Sequence, residues 1–67
     1  MAHLITTFYA CNSLGEARVV RDNDKLLIEY YDVNNVKFMS EDHSDKSQGS
    51  VESIAEDWAL GYRQLNG

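Results

Sequence analysis

The densest group of chemistry-bearing side chains is Glu41, Asp42, His43 and Asp45, which puts three carboxylates and an imidazole within five residues. Such a set could gather around a divalent cation. The spacing argues otherwise, because a calcium loop needs oxygen ligands at alternating positions, a glycine at its sharp turn and a closing glutamate. Counted from Asp42, the fifth and sixth places hold Lys46 and Ser47. No metal is expected, and positions 41–49, which contain no apolar residue, read as a hydrated acidic connection.

Nucleophilic hydrolysis would need a serine or cysteine held against His3 or His43, with a third group to orient the imidazole. His3 lies beside the N-terminus and His43 in the polar connection, so neither segment reads as rigid. Cys11 is the only cysteine. It has no neighbouring basic residue in the sequence to hold a thiolate, and it reads as a small residue at a strand end. Gly15, Gly49, Gly61 and Gly67 are isolated, which removes a glycine-rich phosphate cradle. The expectation is a protein without catalytic residues or a cofactor, one that acts by binding.

The elements that would position a binding surface follow from length and periodicity. A chain of 67 residues forms one small domain, and a domain of this size buries only about 60% of the surface its unfolded chain exposes. One cysteine cannot form an internal disulfide, so oligomerisation is the remaining common source of stability and a homodimer is expected. Positions 3–11, 16–21, 25–32 and 36–40 carry β-branched and aromatic residues between turn-prone clusters, and their short connections suit antiparallel neighbours. Ser50 is the expected helix N-cap, followed by Glu52, Glu56 and Asp57 in the early turns, with Ser53 and Glu56 as an alternative capping box for a later start. At about 100° per residue, Val51, Ile54, Ala55, Trp58, Tyr62 and Leu65 form one apolar stripe, with Gly61 inside the helix. The fold class is α+β: a four-stranded antiparallel meander and one C-terminal helix, in a single domain over residues 1–67.

The strand at 25–32 is apolar on both of its faces. Leu26, Ile28 and Tyr30 point one way, Leu27 and Tyr31 the other, and one helix can cover only one set. Tyr9, Leu27, Tyr31 and Met39, with help from Ile5 or Val20, are expected to form an uncovered patch. Leu60 projects from the outer side of the helix, and Glu41, Asp42 and Asp45 would supply a charged rim.

Six Lys and Arg stand against eleven Asp and Glu, giving a net charge of -5. The basic residues are scattered, so direct contact with nucleic acid phosphates is disfavoured and a partner of basic or mixed surface is favoured. No secretory leader or membrane-length apolar run is apparent, and a cytoplasmic location without membrane association is expected.

The run Ser53-Ile54-Ala55-Glu56-Asp57-Trp58-Ala59-Leu60-Gly61 resembles the end of small uncharacterised proteins from myoviruses that infect cyanobacteria. The likeness spans about the last quarter of the chain. It implies a compact acidic viral protein in the host cytoplasm, one that binds and redirects a host factor. The leading expectation is therefore a protein-binding module that docks on and modulates a host protein. The alternative is an acidic DNA mimic that occupies the site of a nucleic-acid-binding protein, for which five net charges are few.

Overall fold

The computed structural model describes residues 2–10 and 15–61. Its elements are β1 (Ala2–Tyr9), β2 (Glu16–Asp22), β3 (Lys25–Tyr31), β4 (Lys37–Asp42) and α1 (Gln48–Ala59). The strands form one antiparallel sheet in the order β1-β2-β3-β4, with α1 packed on one face, an α+β meander as expected.

The turns explain why neighbours in sequence are neighbours in the sheet. Asp22 pairs with Lys25 across a two-residue turn. Asn23 there adopts φ 56, the left-handed conformation that lets a tight hairpin follow the strand twist. At the β3–β4 turn, Asp32 Oδ1 accepts from the backbone N–H of Asn34 at 2.8 Å and of Val36 at 3.1 Å. Asn35, at φ 66, completes the reversal. Between β1 and β2, Ala10 N–H donates to Gly15 O at 2.9 Å. The first strand therefore ends at Tyr9, and Cys11 lies outside the described residues.

The apolar side of the sheet and the stripe of α1 form the core. Ala17, Val19, Leu26, Ile28 and Tyr30 are buried against Val51, Ala55, Trp58 and Ala59. The rings of Tyr30 and Trp58 meet edge to face, 4.9 Å between centroids at 69°, a geometry favoured by the aromatic quadrupole. The helix lies over β1, β2 and β3 and does not reach β4.

The helix begins earlier and ends sooner than its residue pattern suggests. Ser47, not Ser50, is the N-cap, and its Oγ accepts from Ser50 N–H at 3.3 Å. Gly61 is not interior: its φ is +86, and its N–H donates to Trp58 O at 3.0 Å, a left-handed stop that glycine adopts at little cost. With these boundaries no acidic residue occupies the first turn. Glu56 and Asp57 fall near the negative end of the helix dipole instead, where carboxylates are disfavoured. Tyr62 and Leu65 lie outside the described residues.

The expected solvated stretch at 41–49 is also shorter. Glu41 and Asp42 complete β4 and Gln48 opens the helix. His43 N–H continues the ladder to Leu26 O at 2.8 Å, while Leu26 N–H donates to Ser44 Oγ at 3.0 Å.

Of the described glycines, Gly15 is the one approached by other backbone. Its φ is +117, and an added Cβ would lie 1.8 Å from the carbonyl oxygen of Tyr31. Gly15→Ala is expected to destabilise the fold by roughly 3 kcal/mol or more, through overlap with fixed backbone plus left-handed strain. Gly61→Ala, which meets open space, should cost about 1 kcal/mol. Urea unfolding followed by Trp58 fluorescence checks the difference; equal midpoints for the two variants would contradict the close approach of Gly15 to β3.

Candidate functional site

The strand register fixes which side chains share the face opposite the helix. Leu4, Val20, Leu27 and Asp42 stand side by side across the four strands; so do Thr7, Arg18, Glu29 and Ser40, and then Tyr9, Glu16, Tyr31 and Lys37. No described helix or loop covers this face.

Two β-bulges decide the sidedness of the edge strands. Leu4 pairs with Val20 and Thr6 with Val19, so Ile5 is the extra residue on β1. Ile5 turns towards the helix and packs on the core. On β4, Tyr30 pairs with Met39 and Tyr31 with Lys37, which makes Phe38 the extra residue. The Phe38 ring lies 6.3 Å from that of Tyr30, and it stays 52% exposed because α1 stops short of β4.

The open face is a mixture of apolar surface and internally matched charge. Leu4 is exposed, Leu27 half-buried and Val20 buried. The Arg18 guanidinium lies 3.9 Å over the Tyr31 ring. Its Nε donates to Glu16 Oε2 at 2.6 Å and its Nη2 to Asn35 Oδ1 at 2.8 Å. The hydrogen bond to Glu16 holds the Arg18 pKa above its ordinary value, outweighing the opposing effect of burial. Lys37 Nζ pairs with Glu29 Oε2 at 3.4 Å, and Tyr31 OH donates to Glu29 Oε1 at 3.3 Å. Each half-exposed pair adds little to stability. Together they lay the long side chains flat.

No protein-family model, curated protein or solved structure matches the chain.

Of the residues singled out from sequence, Tyr9, Leu27, Tyr31 and Asp42 share the open face. Met39 does not join them; with Ile5 it packs on the core side. Glu41 points the same way as Met39 and is engaged there: its Oε1 accepts from Tyr30 OH at 2.7 Å and meets His43 Nε2 at 3.1 Å. Asp45 is exposed in the loop and pairs with Lys46 at 3.4 Å, while Leu60 is exposed at the end of the helix. Among the described residues, the loop's acidic groups do not converge on a cation site.

His43, expected in a loose polar segment, is held firmly. Its side chain is 12% exposed, and Nδ1 is buried without a hydrogen-bond partner among the described residues. In the neutral ring, donation from Nε2 to Glu41 leaves Nδ1 as the acceptor. Tyr30, Glu41 and His43 together tie β4 to the core where the helix gives no cover.

Sequence reasoning missed Glu16 and Arg18, although the signal was present. Counting outward from the Asn23-Asp24 turn pairs Arg18 with Glu29 and Glu16 with Tyr31, which puts a cation beside an exposed aromatic ring and two acids.

Ser44 locks Asp42, the acidic member of this face beside Leu27. Asp42 Oδ1 accepts from Ser44 Oγ at 2.6 Å and from Ser44 N–H at 2.9 Å. The hydroxyl bond first, and the amide second, hold the Asp42 carboxyl below its ordinary range. A depressed carboxylate stabilises the fold above its unfolded pKa of about 3.9, and that contribution is lost as pH falls through the lower folded value. Ser44→Ala should return Asp42 towards the ordinary range in a carboxylate NMR titration. Its destabilisation should be greater at neutral pH than in strong acid. An unchanged Asp42 titration would contradict the Ser44 lock.

Proposed function

We propose that this chain is a protein-binding module whose uncovered sheet face docks on a partner protein of basic or mixed surface and changes that partner's activity. The observation that carries the reading is the one-sided cover: α1 buries Leu26, Ile28 and Tyr30, while Leu27 and Tyr31 lie on a face with no described element above it.

The chemistry of the face suits docking. Tyrosine and arginine are enriched at interface centres, where they offer large rigid contact area at small entropic cost. Arg18 is already fixed on Tyr31 and neutralised by Glu16, so covering it would strand no unpaired charge. Leu4, exposed, and Leu27, half-buried, add apolar contact over the buried Val20. The net charge of -5 favours encounter with a basic surface.

Charge on this face also favours docking over mimicry of DNA. Glu16 and Glu29 are matched by Arg18 and Lys37, which leaves Asp42 and the Asp32 turn as the acids of this face without an ion pair among the described residues, too few for an extended phosphate-like field. A host protein as the target is part of the proposal, and it follows only what the resemblance of residues 53–61 to small myovirus proteins implies.

Affinity capture followed by titration of the purified partner tests the reading. Leu27→Asp and Tyr31→Ala, each confirmed folded by Trp58 emission, should weaken binding at least about tenfold, or roughly 1.4 kcal/mol. Wild-type binding should survive moderate salt. Unchanged affinity in both variants, with steep loss of binding in salt, would reject the sheet face and favour charge mimicry.

A further inference from the structure

One end of the open face carries a cleft of about 280 Å³, lined in part by Tyr9, Gly15, Glu16, Asp32 and Val33. That volume lies just below the roughly 300 Å³ at which sites for drug-sized ligands begin. It suits a single side chain. Tyr9 is 76% and Val33 63% exposed, so the cleft has an aromatic wall and an aliphatic one, both open to solvent.

Two carboxylates border the cleft with an oxygen to spare. Glu16 uses Oε2 for Arg18, and Asp32 uses Oδ1 for the turn amides of Asn34 and Val36. Among the described residues, Glu16 Oε1 and Asp32 Oδ2 have no hydrogen-bond or ion-pair partner. Among the described residues Arg18 is the one cation paired with these two acids, which leaves them with one net negative charge.

The protein's own side chains display the recognition that this end would repeat. Glu16 stands between Tyr9 and Tyr31 in one row across the sheet. On the Tyr31 side, Arg18 lies on the ring and donates to Glu16. On the Tyr9 side there is the same carboxylate, a second acid in Asp32 and a more exposed ring. Among the described residues, no basic side chain stacks on Tyr9.

We infer that this cleft takes the side chain of an arginine presented by the partner polypeptide, its guanidinium over Tyr9 and its charge on Glu16 and Asp32. A guanidinium fits better than an ammonium, since it is planar, stacks on aromatic faces, is weakly hydrated and offers a fork of donors to two acceptors. The aliphatic stem would run along Val33. This inference rests on the docking function proposed above and names one contact within it.

The test uses the intact chain and three probes, N-acetyl-arginine methylamide, its lysine counterpart and the neutral citrulline analogue, followed by amide NMR. The arginine probe should shift Tyr9, Gly15 and Val33 with millimolar affinity, ahead of lysine and at least about tenfold ahead of citrulline. Asp32→Asn keeps Oδ1 to accept the turn amides but removes the charge. With Tyr9→Ser, it should weaken the arginine probe and the purified partner by about fivefold or more.

Equal binding of arginine and citrulline, or shifts confined to other surfaces, would overturn the inference. Probe binding that both variants weaken, with partner affinity unchanged, would assign the cleft to a free guanidinium compound and overturn the polypeptide source. If Leu27→Asp abolishes partner binding while Asp32→Asn and Tyr9→Ser alter neither partner nor probe binding, the cleft fails and the docking face stands. If Asp32→Asn and Tyr9→Ser weaken the partner while Leu27→Asp and Tyr31→Ala do not, the arginine contact stands and the broader face fails.

Discussion

The structure depends on a mismatch of cover: among the described residues one helix of 12 residues, about 10 Å across with its side chains, lies on a sheet of four strands at about 4.8 Å spacing. It can shield three strands on one side, which is the arrangement adopted here. Every other feature deals with what is left over. On the helix side, Tyr30, Glu41 and His43 brace β4 through one carboxylate oxygen. On the far side, flat-lying ion pairs and the Arg18–Tyr31 stack stand where a second layer would be.

This division explains why the far face suits binding. A bare apolar sheet would invite aggregation, and a fully charged one would resist desolvation. Here Leu4, Val20 and Leu27 form an apolar band beside a polar one whose charges already have partners. Among the described residues, Glu56 and Asp57 near the end of α1 also form no ion pair, and there the helix dipole disfavours them.

Much of this was legible in the residues. The strands, their antiparallel order, the tight Asn23-Asp24 turn and the sidedness of Leu26, Ile28 and Tyr30 follow from alternation and turn chemistry. What escaped was parity at the edges. An alternating pattern carries no mark of an extra residue, so the bulges at Ile5 and Phe38 moved Ile5 and Met39 to the core side. The helix start was hidden by serines at 44, 47, 50 and 53, which repeat at the spacing of capping partners. Gly61 could equally have been an interior glycine or a stop, and only its positive φ distinguishes them. The acidic segment looked like a site because composition cannot show that Asp42 is committed to Ser44 and Glu41 to Tyr30.

The claim that the uncovered sheet face is the docking surface is tested most directly by methyl cross-saturation from the purified partner. Saturation should pass to the methyl groups of Leu4, Val20 and Leu27, while Val19, Ile28 and Val51, on the helix side of the same sheet, keep their intensity. Transfer confined to Leu60 and the outer helix, with Leu4 and Leu27 untouched, would contradict the account.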